Sequence, residues 1–135
     1  MKKQMNGSCL CGDVKYSVEE GFDAFYLCHC EQCQKVTGSA FASNILTSVD
    51  NVEWLSGEDK IVKYLDMARD FSKAFCGICG AGVPYVNRKK THLVIPAGSL
   101  NNAPSSSPKA NLFKSESPCW LTEGLAAKSF KGFPE

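Results

Sequence analysis

Apolar and polar residues alternate along much of this chain with the two-residue period of half-buried β-strands. Asp13 to Glu19 (DVKYSVE) sets Val14, Tyr16 and Val18 on one face, which predicts a strand. Ala24 to Cys28 predicts a second strand, antiparallel to the first across the turn Glu20-Gly21-Phe22-Asp23. Short apolar runs follow at Phe41 to Thr47, Val52 to Leu55, Ile61 to Leu65, Phe71 to Phe75, Gly82 to Val86 and His92 to Ile95. That spacing is the one expected of a β-meander or sandwich. Cys30 to Gly38 (CEQCQKVTG) is polar and predicts a single helical turn. Asn101 to Pro108 (NNAPSSSP) predicts a loop, and a short helix is expected around Leu125 to Lys128. The pattern as a whole is mainly β.

At 135 residues the chain is expected to form one domain spanning 1–135. Hydrophobic residues make up 44% and charged residues 21%, ordinary globular values that argue against a disordered chain. A net charge of +1 offers no general attraction to nucleic acid or to an anionic membrane. The start of the chain, Met1-Lys2-Lys3-Gln4-Met5-Asn6-Gly7, has lysines but no apolar stretch after them, unlike a signal peptide. No apolar run approaches the roughly 20 residues of a membrane span. A cytoplasmic, reducing location is therefore expected, where clustered cysteines bind metal rather than form disulfides.

Of the eight cysteines, seven fall into three tight groups: Cys9-x-Cys11, Cys28-x-Cys30-x-x-Cys33 and Cys76-x-x-Cys79. On a strand, residues i and i+2 share a face, so Cys9 and Cys11 can reach one ion together. Cys76-Gly77-Ile78-Cys79-Gly80 is a zinc-knuckle sequence whose glycines let two thiolates turn onto one metal. Joined, the two pairs make a closed four-thiolate structural zinc site that staples the N-terminal strand to a distant hairpin.

Cys28, Cys30 and Cys33 supply three ligands and leave a fourth position open, the mark of a catalytic zinc. Three electron-rich sulfurs make the metal a weak Lewis acid that favours a soft thiolate over activated water. Cys119 or His29 could instead close this second site. His29, flanked by two ligands, is expected to point away from the metal. His92, Trp54, Trp120 and the phenylalanines read as structural or core residues. Arg88-Lys89-Lys90 reads as a solvated hairpin turn that could meet an anionic substrate.

The motifs Gly7-Ser8-Cys9-Leu10-Cys11-Gly12, Cys28-His29-Cys30-x-x-Cys33 and Thr37-Gly38-Ser39-Ala40-Phe41 carry a family resemblance. Leu55-Ser56-Gly57-Glu58, Phe75-Cys76-Gly77-Ile78-Cys79-Gly80 and Ala97-Gly98-Ser99-Leu100 continue it in order. The chain resembles the glutathione-dependent formaldehyde-activating enzymes, a family that includes the centromere protein V relatives. The resemblance implies an Mss4-like β-tent of short antiparallel strands built around zinc sites. It also implies two zinc ions and carbon–sulfur lyase chemistry on the adduct of formaldehyde with glutathione. In this chain Cys9, Cys11, Cys76 and Cys79 match the family's structural site, and Cys28, Cys30 and Cys33 its catalytic site. The sequence departs from the family at Asn111, where a histidine is frequent, and at Cys119, where many members have proline. Lys35 and the Arg88 to Lys90 run are candidates for meeting glutathione's carboxylates. The rival expectation is a non-catalytic zinc module that presents its tent surface to a protein partner.

Overall fold

A computed structural model describes residues 3–134; Met1 and Lys2, at the start of the N-terminal segment discussed above, and Glu135 lie outside them. Among the described residues, eleven short strands build three sheets. The first joins β1 (Gln4–Ser8), β2 (Lys15–Glu19) and β5 (Glu53–Ser56) in that order. The second has the order β11 (Ala110–Leu112), β3 (Ala24–Cys28), β4 (Ala42–Thr47), β10 (Leu93–Pro96) and β9 (Tyr85–Val86). The third joins β6 (Ile61–Asp66), β7 (Phe71–Cys76) and β8 (Gly82–Val83). Among the described residues there are two short α-helices, α1 (Glu31–Thr37) and α2 (Trp120–Ala126). All the strand pairs are antiparallel except β11 on β3. None of the helices is long and apolar enough to cross a membrane among the described residues.

The expected hairpin between β2 and β3 does not form. β2 pairs with β1 in the register Gln4↔Glu19 to Ser8↔Lys15, whereas β3 pairs with β4 from Ala24↔Leu46 to Cys28↔Ala42. The turn between them carries the chain from one sheet to another. Its ends are tied to different sheets: the Glu20 amide donates to the Lys3 carbonyl at 2.7 Å and the Asp23 amide to the Leu46 carbonyl at 2.9 Å. Phe22 packs against the core at the crossing, so burying that ring favours the switch over a solvated turn.

Two core clusters result. Met5, Tyr16, Val18, Phe25, Ile45, Leu93, Ile95 and Leu100 form the larger one. Cys9, Val14, Ala74, Cys76 and Val83 form the smaller. Trp54 packs on both and meets Tyr16 edge-on at 5.9 Å between ring centroids. Each fully buried aliphatic side chain here contributes roughly 1.5–3 kcal/mol. The alternation of β7 shows why one cysteine pair is anchored so deeply: Ser72, Ala74 and Cys76 are buried while Phe71, Lys73 and Phe75 share the other face.

The reading of every tryptophan and phenylalanine as core does not hold. Trp120 is 54% exposed and Phe113, Phe130 and Phe133 are also exposed, and positions 122–134 are exposed throughout.

Candidate metal centre

Cys9 and Cys11 lie in the turn after β1, not on the strand itself. The turn does the work of a strand face: the Cys9 amide donates to the Val14 carbonyl at 3.0 Å and the Gly12 amide to the Cys9 carbonyl at 3.3 Å. Gly12, at φ 86°, supplies a left-handed bend that a side chain would strain. Cys76 ends β7 and begins a similar turn, with the Gly80 amide donating to the Cys76 carbonyl at 2.8 Å and Gly80 at φ 79°. In each turn an amide points at sulfur: Val14 N–H to Cys9 Sγ at 3.3 Å and Ile78 N–H to Cys76 Sγ at 3.4 Å.

These turns bring the sulfurs of Cys9, Cys11, Cys76 and Cys79 within 4.8 Å of one another. Cys9 Sγ stands 3.6 Å from Cys11 Sγ, and Cys11 Sγ stands 3.9 Å from Cys76 Sγ. Sulfurs held about 2.3 Å from a zinc ion at tetrahedral corners lie about 3.8 Å apart. The donor set fits that ion in kind, number and spacing.

The electrostatics agree. The amides of Ala81 and Cys11 draw the Cys79 thiol down to about 6. Burial opposes ionisation of Cys9, but the Val14 amide and the neighbouring thiols outweigh it and lower its pKa. The Asp13 amide favours the Cys11 thiolate, yet desolvation and the crowding of Cys9, Cys79 and Cys76 push it up to about 12. Thiols this close cannot all ionise unless a cation neutralises them.

The second group forms where β3 runs into α1. Cys28 ends the strand and Cys30 caps the helix, its sulfur accepting from the Cys33 amide at 3.3 Å. Cys33 is the buried residue of α1, a helix of seven residues and thus longer than the single turn expected. The three sulfurs lie within 4.8 Å of one another. Burial raises the pKa of Cys28, and burial together with Cys28 and Cys30 raises that of Cys33. This second crowd of soft donors likewise fits a cation.

Neither candidate for a fourth ligand joins it. His29 is buried with Nε2 2.9 Å from Asn111 Oδ1 and its ring 5.2 Å from that of Phe41. It points away from the three sulfurs into the β3–β11 seam, and its Nδ1 has no hydrogen-bond partner. Cys119 is exposed at the start of α2.

A cleft of about 720 Å³ runs between the two groups, touching Cys9 on one side and Cys33 on the other. Lys73, Tyr85, Asn44 and Ser99 line it. Tyr85 is pushed up to about 12 by burial, reinforced by the negative potential of Cys33 and Cys28. At neutral pH it presents a protonated hydroxyl close to the triad. Lys73 extends over the Phe75 ring at 5.2 Å, so its charge is held by packing as well as by solvent.

The cations picked out in the sequence lie elsewhere. Lys35 lines a second cleft with Cys30, Arg69 and Phe113, on another side of α1. Arg88 donates to the Asp66 carbonyl at 2.9 Å and clasps the β6–β7 hairpin, while Lys89 and Lys90 sit exposed in the turn that Asn87 organises. Lys73 and Tyr85 were missed. The signal for Lys73 was a cation between Phe71 and Phe75 on one face of a strand that leads into a cysteine pair.

A mainly β framework that gathers seven thiols into two metal-type groups defines a class of thiolate-rich metal-binding proteins. The particular lineage is also clear. The chain belongs to the glutathione-dependent formaldehyde-activating enzyme family, whose model matches residues 4–116, and its fold is of the Mss4-like type. A crystal structure of a Rhodobacter sphaeroides protein, a structural-genomics target, is similar in fold with a TM-score of 0.62. It is 21% identical, and the alignment covers 80% of this chain and 99% of that one. No curated protein matches the chain significantly.

Proposed function

We propose that this chain is a one-domain, zinc-dependent carbon–sulfur lyase acting on S-hydroxymethylglutathione or a similar adduct of formaldehyde with a small thiol. The observation that carries this reading is the cleft in which Cys33, Tyr85 and Lys73 converge. Cys28, Cys30 and Cys33 would hold a zinc ion able to accept a soft thiolate and lower its basicity. Cys9, Cys11, Cys76 and Cys79 would hold a second, structural one.

The remaining roles belong to the chain. Lys73 offers a cation to a substrate carboxylate, and Asn44 and Ser99 give neutral hydrogen-bonding partners for a peptide-like thiol. In the adduct-forming direction the sulfur lone pair attacks the aldehyde carbon and the carbonyl π pair moves onto oxygen. The proton lost by the thiol ends on that oxygen. The Tyr85 hydroxyl donates a hydrogen bond to the oxygen as its charge grows, the kind of stabilisation that lowers an addition barrier. The reverse sequence breaks the carbon–sulfur bond.

Eight unpaired cysteines suit a reducing, cytoplasmic setting, and the net charge of +1 suits a small-molecule partner better than nucleic acid. Magnetisation-exchange NMR on mixtures of glutathione and formaldehyde tests the reading. The zinc-loaded protein should speed interconversion of adduct and free components well above the uncatalysed rate. No acceleration at any thiol concentration would leave the non-catalytic zinc module standing.

A further inference from the structure

Glu116 still bonds to α1, accepting from the Glu31 amide at 3.0 Å, but beyond it the chain leaves the body of the protein. α2 has no buried residue, and positions 122–134 are all exposed. This arm is nonetheless strongly apolar: Trp120, Leu125, Phe130 and Phe133 are 54, 79, 48 and 94% exposed. Lys128 lies 5.2 Å over the Phe130 ring, which gives the arm local order without covering its hydrophobic face. A surface of this kind marks an interaction site.

The body carries a matching recess. A groove of about 430 Å³ has Val49, Val52, Ile61, Leu65 and Val86 among its lining residues. Val49, Leu65 and Val86 are 41, 59 and 41% exposed. None of the described arm residues lines this groove in its own chain. Charges around it have both signs, Glu58 against Lys63 and Lys73, and the arm carries both signs as well, Glu123 against Lys128 and Lys131.

We infer that the arm seats in this groove on a second copy of the chain, and that two copies exchange arms to form a symmetric dimer. Area favours exchange over a single contact. Weighed against about 200 Å² for a large aromatic side chain, one arm offers roughly 500 Å² of apolar surface. One arm in one groove therefore falls well short of a standard interface, whereas reciprocal exchange buries both arms and both grooves, on the order of 1,300 Å² in total, and reaches the lower end of that range. Exchange is also the closed, two-fold solution, in which each copy gives and receives the same elements. Tyr85 and Lys73 line both this groove and the cleft, so an arriving arm would pack behind that site.

Sedimentation velocity on the full chain tests this inference. The wild type should sediment as a dimer. An arm variant, Phe130→Glu with Phe133→Glu, and a groove variant, Val49→Glu with Leu65→Glu, should each weaken dimerisation roughly thousandfold, as loss of paired hot-spot contacts does. All four positions are exposed, so circular dichroism should show both variants folded. Mixing the two should give a heterodimer held by the one intact arm–groove contact, weaker than the wild-type dimer but tighter than either variant alone. A monomeric wild type would overturn the inference, as would a dimer indifferent to either variant. A mixture that associates no more tightly than either variant alone would refute the pairing of arm with groove.

Discussion

The two cysteine groups use the same donor atom in opposite ways. Cys9 and Cys11 meet Cys76 and Cys79 across 65 positions of sequence, from Cys11 to Cys76, and Cys9 and Cys76 stand inside a core cluster. Cys28, Cys30 and Cys33 fall within one strand end and the first turn of one helix. A metal in the first group closes a long loop and constrains much of the unfolded chain. A metal in the second closes only a short one. On the proposed reading, sequence separation rather than ligand chemistry makes the first site the one that stabilises the fold and leaves the second to serve a ligand in the cleft.

The sharpest way to break this contrast is to remove one ligand from each group. Cys76→Ser or Cys79→Ser should unfold or aggregate the protein, since structural zinc in small domains supplies on the order of 10 kcal/mol. Cys30→Ser should instead leave a folded chain with one zinc and activity lowered at least about a hundredfold. Thermal melts with zinc counts on both variants decide the matter. Equal collapse would mean that the triad, too, is structural.

The next effect is smaller and concerns the cleft alone. Tyr85→Phe should lower kcat by about 10- to 100-fold, the worth of a hydrogen bond to a developing charge, and leave both zinc ions in place. An unchanged kcat would remove Tyr85 from the reaction.

The smallest effect belongs to the larger core. Burial pushes Tyr16 up to about 12, against a hydrogen bond with Ser99 that favours ionisation. The folded state thus holds the phenolic proton more tightly than the unfolded chain does. Stability from this source is intact below about pH 10 and is lost as pH rises towards about 12, by roughly 1–3 kcal/mol. Tyr85 adds a similar slope. Denaturant melts of Tyr16→Phe should show that alkaline decline reduced but not abolished.

Much of the candidate site was legible because short-range spacing limits metal chemistry so tightly. Two cysteines one or two residues apart can reach a common ion, and two such pairs complete a tetrahedral set. Glycine at 12 and 80 signalled the turns that aim them, even though the Cys9–Cys11 pair was expected on a strand. The family motifs lie in those same segments. Lys73 and Tyr85 were not legible, since each joins the cleft only through packing between sheets, and a lysine or tyrosine in a strand has many commoner uses.

The sequence alone determined the β-rich character, through the alternation of Val14, Tyr16 and Val18, and the division of seven cysteines into groups of four and three. Both are local: one follows from the pleat, the other from the reach of a thiolate. Tertiary structure alone decided that β2 and β3 part company at Phe22, that β11 runs parallel to β3, that Arg88 clasps a hairpin while Lys73 lines the cleft, and that Trp120 is left half-exposed by its own chain. Each of these depends on which distant surface a residue finds to bury against, and no local pattern encodes that choice.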